Sequence, residues 1–197
     1  IKAGTVYAYL GEGWNQFENK AYVNYNQTPT ATSVDPKCIM ASTSFEYDGE
    51  TMEVSGDFAH GAGYGKMTIN ECPVAVEDIA KVIVALDEAI YTVQLGDLIT
   101  STDIWFACEA TEDFATLKVS VVDNNGVTYS KSVDMSALAD NQRLKFKTGE
   151  VSKFSIKGLA REAADHVVEF TEMSGPVSED FGSWAGTGLT YTFSNAA

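Results

Sequence analysis

The stretch His60-Gly61-Ala62-Gly63-Tyr64-Gly65-Lys66 comes nearest to a chemical motif, because phosphate-cradling loops use glycine-freed backbone N–H groups and a lysine at a helix N-terminus. The match fails on chemistry. No glycine stands at the first motif position, Met67 occupies the place where Ser or Thr must hold magnesium, and the residues that follow alternate like a strand. A loop entering a strand is expected there. Asp123-Asn124-Asn125-Gly126 lacks the twelve-residue spacing that ends in a bidentate Glu, so a hairpin turn explains it better than a calcium loop. Acidic pairs at Asp48/Glu50 and Glu112/Asp113 are weak calcium candidates at loop tips. His60 and His166 show no H-x-x-x-H spacing and no neighbouring cysteine, and no G-x-S-x-G elbow occurs. With 28 Asp and Glu residues some carboxylates always come within reach across a sheet, so glycosidase chemistry gains no specific support. The expectation is a non-catalytic protein with no metal and no cofactor.

Cys38, Cys72 and Cys108 are widely spaced and make no C-x-x-C pair, so neither a zinc knuckle nor a disulfide-dense scaffold is encoded. A single disulfide from Cys38 to Cys72 stays open. Cys108 follows Trp105, Phe106 and Ala107 and reads as a small buried hydrophobe. Among the tryptophans, Trp105 reads as core. Trp14 and Trp184, set among glycines and polar residues, are the candidate platforms for stacking on sugar rings.

Short alternating runs dominate the chain and predict strands near 5–10, 21–25, 37–47, 51–58, 66–69, 81–86, 104–109, 116–122, 128–133, 143–147 and 151–157. Eleven strands suit an all-β antiparallel sandwich, closed by Greek-key connections or built as two stacked small sandwiches. The clearest local signal is the hairpin around Asn124. A two-residue loop would set Val121 opposite Ser130, whereas a three-residue loop over 124–126 pairs Val121 with Tyr129 and Leu117 with Val133. The three-residue loop is predicted, with Gly126 as the left-handed residue of a bulge. A second hairpin is predicted at Thr148-Gly149-Glu150, joining Leu144 and Phe146 to Phe154 and Ile156. Leu159, Ala163 and Val167 share a face and suggest a short helix after Gly158.

Domain boundaries are expected at 1–158 for the sandwich and 159–197 for a C-terminal extension punctuated by Gly182, Gly186 and Gly188. The extension ends in an alternating segment whose Leu189, Tyr191 and Phe193 could enter alternate pockets as a donated strand. The net charge of −15 disfavours nucleic acid and anionic membrane faces. Unbroken apolar runs such as 82–86 are far below the roughly 20 residues a spanning helix needs. The chain opens at Ile1 without a basic and apolar leader, which predicts a processed product.

Three features in order carry a resemblance: Tyr64-Gly65-Lys66-Met67-Thr68-Ile69; the run from Leu117 through Asp123-Asn124-Asn125-Gly126 to Lys131; and the run from Phe146-Lys147-Thr148-Gly149 to Ile156. Across residues 60–157 the chain resembles the fimbrillin-like proteins of Bacteroidetes. That resemblance implies a transthyretin-like sandwich, export through the periplasm, a lipoprotein or pilus-subunit life at the outer-membrane surface, and assembly by strand exchange. Expected partners are other surface or pilus subunits, or a host or glycan ligand. The function expected is thus a structural or adhesive surface protein, with glycan binding as the alternative.

Overall fold

The computed structural model describes residues 3–15, 17–18, 20–50, 57–95, 101–163, 167–169 and 192–194. Its strands are β1 (Gly4–Leu10), β2 (Trp14–Asn15), β3 (Lys20–Ala21), β4 (Asn26–Gln27), β5 (Ala41–Tyr47), β6 (Ala59–His60), β7 (Ala62–Ile69) and β8 (Ile79–Leu86). They continue with β9 (Ala89–Gln94), β10 (Asp103–Glu109), β11 (Thr116–Asp123), β12 (Thr128–Asp134), β13 (Val151–Ile156), β14 (Ala160–Arg161), β15 (Val167–Glu169) and β16 (Thr192–Ser194). Contacts divide the chain into two units, Ile1–Arg161 and Glu162–Ala197.

The first unit is an all-β sandwich. Its larger sheet runs β14-β12-β11-β8-β9-β4, and its smaller one runs β10-β7-β13. Period-two alternation makes the larger sheet: Val82, Val84 and Leu86 of β8 face inward, opposite Val93, Tyr91 and Ala89 on one side and Val121, Val119 and Leu117 on the other. Such apolar cross-strand pairs contribute about 0.2–1 kcal/mol each beyond simple alanines. The smaller sheet turns Met67, Ile69, Ile104, Phe106 and Ile156 into the same core. The chain changes sheet between the two hairpins, because β10 belongs to the smaller sheet while β8–β9 and β11–β12 belong to the larger.

The β11–β12 hairpin has the register expected, with Val121 opposite Tyr129 and Leu117 opposite Val133, and Gly126 adopts φ 82°. Asp123 fixes the turn, its Oδ1 accepting the Asn125 and Val127 N–H groups, each at 2.8 Å. Other expectations need correction. Residues 143–147 do not pair with β13; Phe146 makes an isolated bridge to Thr111, and β13 lies parallel to β7. The second expected hairpin is therefore absent.

The cause lies in β7, where 62–65 is strand rather than loop. A Cβ on Gly63 would stand 2.9 Å from that of Phe146, and one on Gly65 only 2.3 Å from the Phe106 ring. The two glycines leave room for a cluster in which Phe106 meets Phe146 edge-on at 5.5 Å and Phe114 stacks on Phe146 at 6.0 Å. With Phe146 held over Gly63, residues 143–147 touch β13 through side chains, the Ser152 hydroxyl donating to the Lys145 carbonyl and Phe146 meeting Phe154 at 6.2 Å, without forming a ladder with it.

The helix expected after Gly158 does not form at the described residues. Ala160–Arg161 pairs with Tyr129 and Ser130 of β12, and Val167–Glu169 is a strand. The strand expected over 37–47 begins at Ala41, since Asp35 accepts the Lys37 N–H and Pro36 opens a 3₁₀ turn. Of the strand expected over 21–25, only Ala21 is in one, in β3. Residues 51–56 of another expected strand lie outside those described. β1 pairs with β5 and β5 with β6, and β2 with β3, in small separate sheets. The second unit contains β15 and β16 paired antiparallel, with Val168 opposite Phe193. Among the described residues no helix is long and apolar enough to cross a membrane.

Candidate functional site

The smaller sheet ends in two strands, and the protein treats them differently. On the β10 flank, Gln27 of β4 is fully buried and its amide copies a neighbouring strand: Oε1 accepts the Ala107 N–H at 2.8 Å and Nε2 donates to the Ala107 carbonyl at 2.7 Å. Nε2 also donates to the Asn24 carbonyl at 2.9 Å. Two residues on, the Glu109 N–H donates to the buried Tyr91 hydroxyl at 3.0 Å. Two side chains from the larger sheet thus satisfy the outward N–H and C=O of Ala107 and the N–H of Glu109, which blocks another strand from pairing with that end of β10.

The β13 flank carries no such cover among the described residues. Glu150 accepts the Tyr64 N–H at 3.1 Å and Ile156 accepts the Asn70 N–H at 2.8 Å, so the even-numbered residues of β13 bond towards β7. Parallel pairing then turns the N–H and C=O groups of Val151, Lys153 and Ser155 outward. Beside this edge lies a groove of about 380 Å³. Leu117, Val133, Met135, Leu144, Phe154 and Ile156 give it an apolar lining. Arg143 brings positive charge to the groove, and Lys153, on the outer face of β13, borders it. Arg143 holds the 135–143 link in place, donating from Nε to the Leu138 carbonyl at 3.0 Å and from Nη2 to the Ser136 carbonyl at 3.1 Å.

On the outer face of the smaller sheet, Lys66 pairs with Asp103 at 2.8 Å, and the Thr68 hydroxyl donates to the same carboxylate at 2.7 Å. Lys66 and Thr68 hold the Asp103 carboxyl below the usual carboxylate range. Trp105, expected in the core, instead packs half-buried on this face, with the Lys66 ammonium 5.8 Å from its ring centre. Trp105, Tyr64, His60, Val34, Ile39 and Val151 border a depression of about 150 Å³, below the roughly 300–1,000 Å³ of ligand pockets. No group of three or more His, Cys, Asp or Glu side chains among the described residues could hold a metal ion.

The three cysteines are free thiols: Cys38 and Cys108 are buried and Cys72 is partly exposed. Burial pushes the Cys38 thiol up to about 12 from an ordinary 9.0, with Asp35 adding to the shift, and burial likewise raises Cys108. Iodoacetamide at pH 8 should therefore label Cys72 alone in the native protein and all three after denaturation, counted by intact mass. Labelling of Cys108 without unfolding would contradict its burial. A raised thiol value favours the neutral form in the fold. The stability that form contributes is complete below pH 9 and is lost as pH rises through the folded-state values.

The side chains of the sequence candidates for sugar stacking and strand donation are outside those described. Trp184, Leu189 and Tyr191 lie outside the described residues; the Trp14 backbone is in β2 and that of Phe193 in β16, and their side chains are outside the description. Sequence reading missed the β13 edge, because which strand is an edge depends on the non-local pairing with β7. It also missed Gln27, one amide in the polar stretch Asn24-Tyr25-Asn26-Gln27-Thr28.

Fold and site together define a two-sheet β-sandwich in which side chains cap one flank at Ala107 and Glu109 and the other flank has no such cover among the described residues. No family model, curated protein or solved structure matches the chain.

Proposed function

We propose that this is a non-catalytic structural or adhesive protein of the bacterial cell surface, exported beyond the cytoplasm, that assembles by accepting a strand from another protein at β13. The observation that supports this reading is the β13 edge, unpaired among the described residues, beside an apolar groove. A strand laid along that edge satisfies the outward groups of Val151, Lys153 and Ser155, while its alternate side chains enter the groove. The resemblance of residues 60–157 to fimbrillin-like proteins points the same way, to a subunit or anchor of a surface fimbrium.

Replacing Lys153 by Pro tests this directly. The substitution removes an N–H that faces away from β7, so no ladder bond to β7 is lost, and proline is tolerated at such edge positions. The variant should fold with a thermal midpoint within a few degrees of the parent and lose assembly, read by light scattering and by pull-down from surface extracts. Ser152→Pro, which removes an inward N–H, should by contrast destabilise the monomer. Full assembly by a folded Lys153→Pro protein would remove this reading.

A further inference from the structure

We infer that the strand accepted at β13 is acidic, alternating apolar residues with carboxylates; this rests on the strand-addition reading above. Charge on this chain is unevenly placed. Residues 143–161 include six of the 13 Lys and Arg but only one of the 28 Asp and Glu, a local +5, which leaves −20 on the rest of a chain whose total is −15. That basic segment contains β13 and part of its groove.

Register sharpens the point. Lys153 stands directly beside Lys66 on the outer face. Asp103 neutralises Lys66 from the far side, while Lys153 has no carboxylate partner among the described residues. Like charges on adjacent strands are unfavourable, and a carboxylate on the free side of Lys153 would relieve them. An added strand offers that arrangement through its own alternation. Side chains on its groove side meet Leu144, Phe154 and Ile156, and those on its outer side stand beside Val151, Lys153 and Ser155. Lys147, Lys157 and Arg161 add positive charge to the same segment, which favours fast, salt-sensitive capture.

Three nine-residue synthetic peptides test the inference. All carry Leu, Val and Phe at alternate positions, with Glu, Thr or Lys between them, and each bears a fluorophore for anisotropy titration against the full chain. The Glu peptide should bind most tightly and the Lys peptide least. At 50 mM salt they should differ by about 10-fold, since each exposed charge pair changes affinity by a factor of roughly 1.4 to 5. At 1 M salt, where the screening length falls to about 3 Å, the difference should shrink to about 2-fold. Lys153→Glu should abolish the preference for Glu over Lys, and Lys153→Pro should abolish binding of the Glu peptide. Equal affinity for the three peptides, or an unchanged preference in Lys153→Glu, overturns the acidic partner and leaves strand addition standing. Failure of all three to bind, or undiminished binding to Lys153→Pro, overturns strand addition and the acidic partner together; Lys153 then guards the edge against pairing.

Discussion

Gly65→Ala should lower the stability of the sandwich by about 2–3 kcal/mol, at the upper end of the cost of overpacking a well-filled core. The new Cβ would stand 2.3 Å from Cε1 and 2.4 Å from Cζ of Phe106. That ring is fully buried and cannot retreat freely, because Phe146 lies 5.5 Å and Phe154 6.3 Å away, centre to centre. For a unit of this size the thermal midpoint should drop by roughly 5–10 °C. Phe106→Leu alone opens a cavity and is also destabilising. Combined with Gly65→Ala it should recover part of the loss, so that the double variant is more stable than the sum of the two single effects predicts. Denaturant melts of the four proteins decide the matter. A Gly65→Ala protein as stable as the parent would mean that the aromatic cluster is not packed on β7 as described.

Replacing Gln27 by Leu should cost about 3–5 kcal/mol. The shape is nearly kept, yet the buried N–H and C=O of Ala107 lose their partner, and the Asn24 carbonyl loses one of its two donors. Each buried polar group left unpaired costs about 1–3 kcal/mol. Gln27→Glu separates the donor from the acceptor role. A neutral acid can still accept from the Ala107 N–H and donate to its carbonyl, whereas a carboxylate repels that carbonyl. The buried acid would therefore have a folded-state value above its unfolded one, and the stability it confers would be present at low pH and lost as pH rises. Urea melts across the acid-to-neutral range should show Gln27→Glu approaching the parent at the acid end only. A pH-independent Gln27→Glu, or a Gln27→Leu protein of parental stability, would show that Ala107 finds other partners.

The parts of the fold legible in sequence were those specified locally. The hairpin from Leu117 to Val133 combined alternation with a turn whose length only one register satisfied, so pairing could be read off directly. β9 was invisible by the same logic. The preceding turn at Asp87 has neither Gly nor Asn, and Asp87 reaches φ 50° while its carboxylate accepts N–H groups from Ala115 and Thr116, nearly thirty residues away. Residues 143–156 misled in the other direction. Their alternation and Gly149 turn suit a hairpin, and only the room over Gly63 explains why Phe146 is held elsewhere. The short helix suggested by Leu159, Ala163 and Val167 had barely two turns of pattern, and Ala160–Arg161 pairs with the edge of β12 instead. For the site, the basic bias of 143–161 was visible in composition, but its meaning depended on knowing that β13 has one side without a neighbour among the described residues.

The placement of Lys153 also bears on symmetry. Two copies meeting through β13 about a two-fold axis would bring two +5 segments face to face and align the same unneutralised lysines across the seam. Self-complementary closure is thereby penalised. A contact through this edge is steered towards unlike surfaces, the heterologous kind of joint in which each molecule receives on one side only and the assembly acquires a direction.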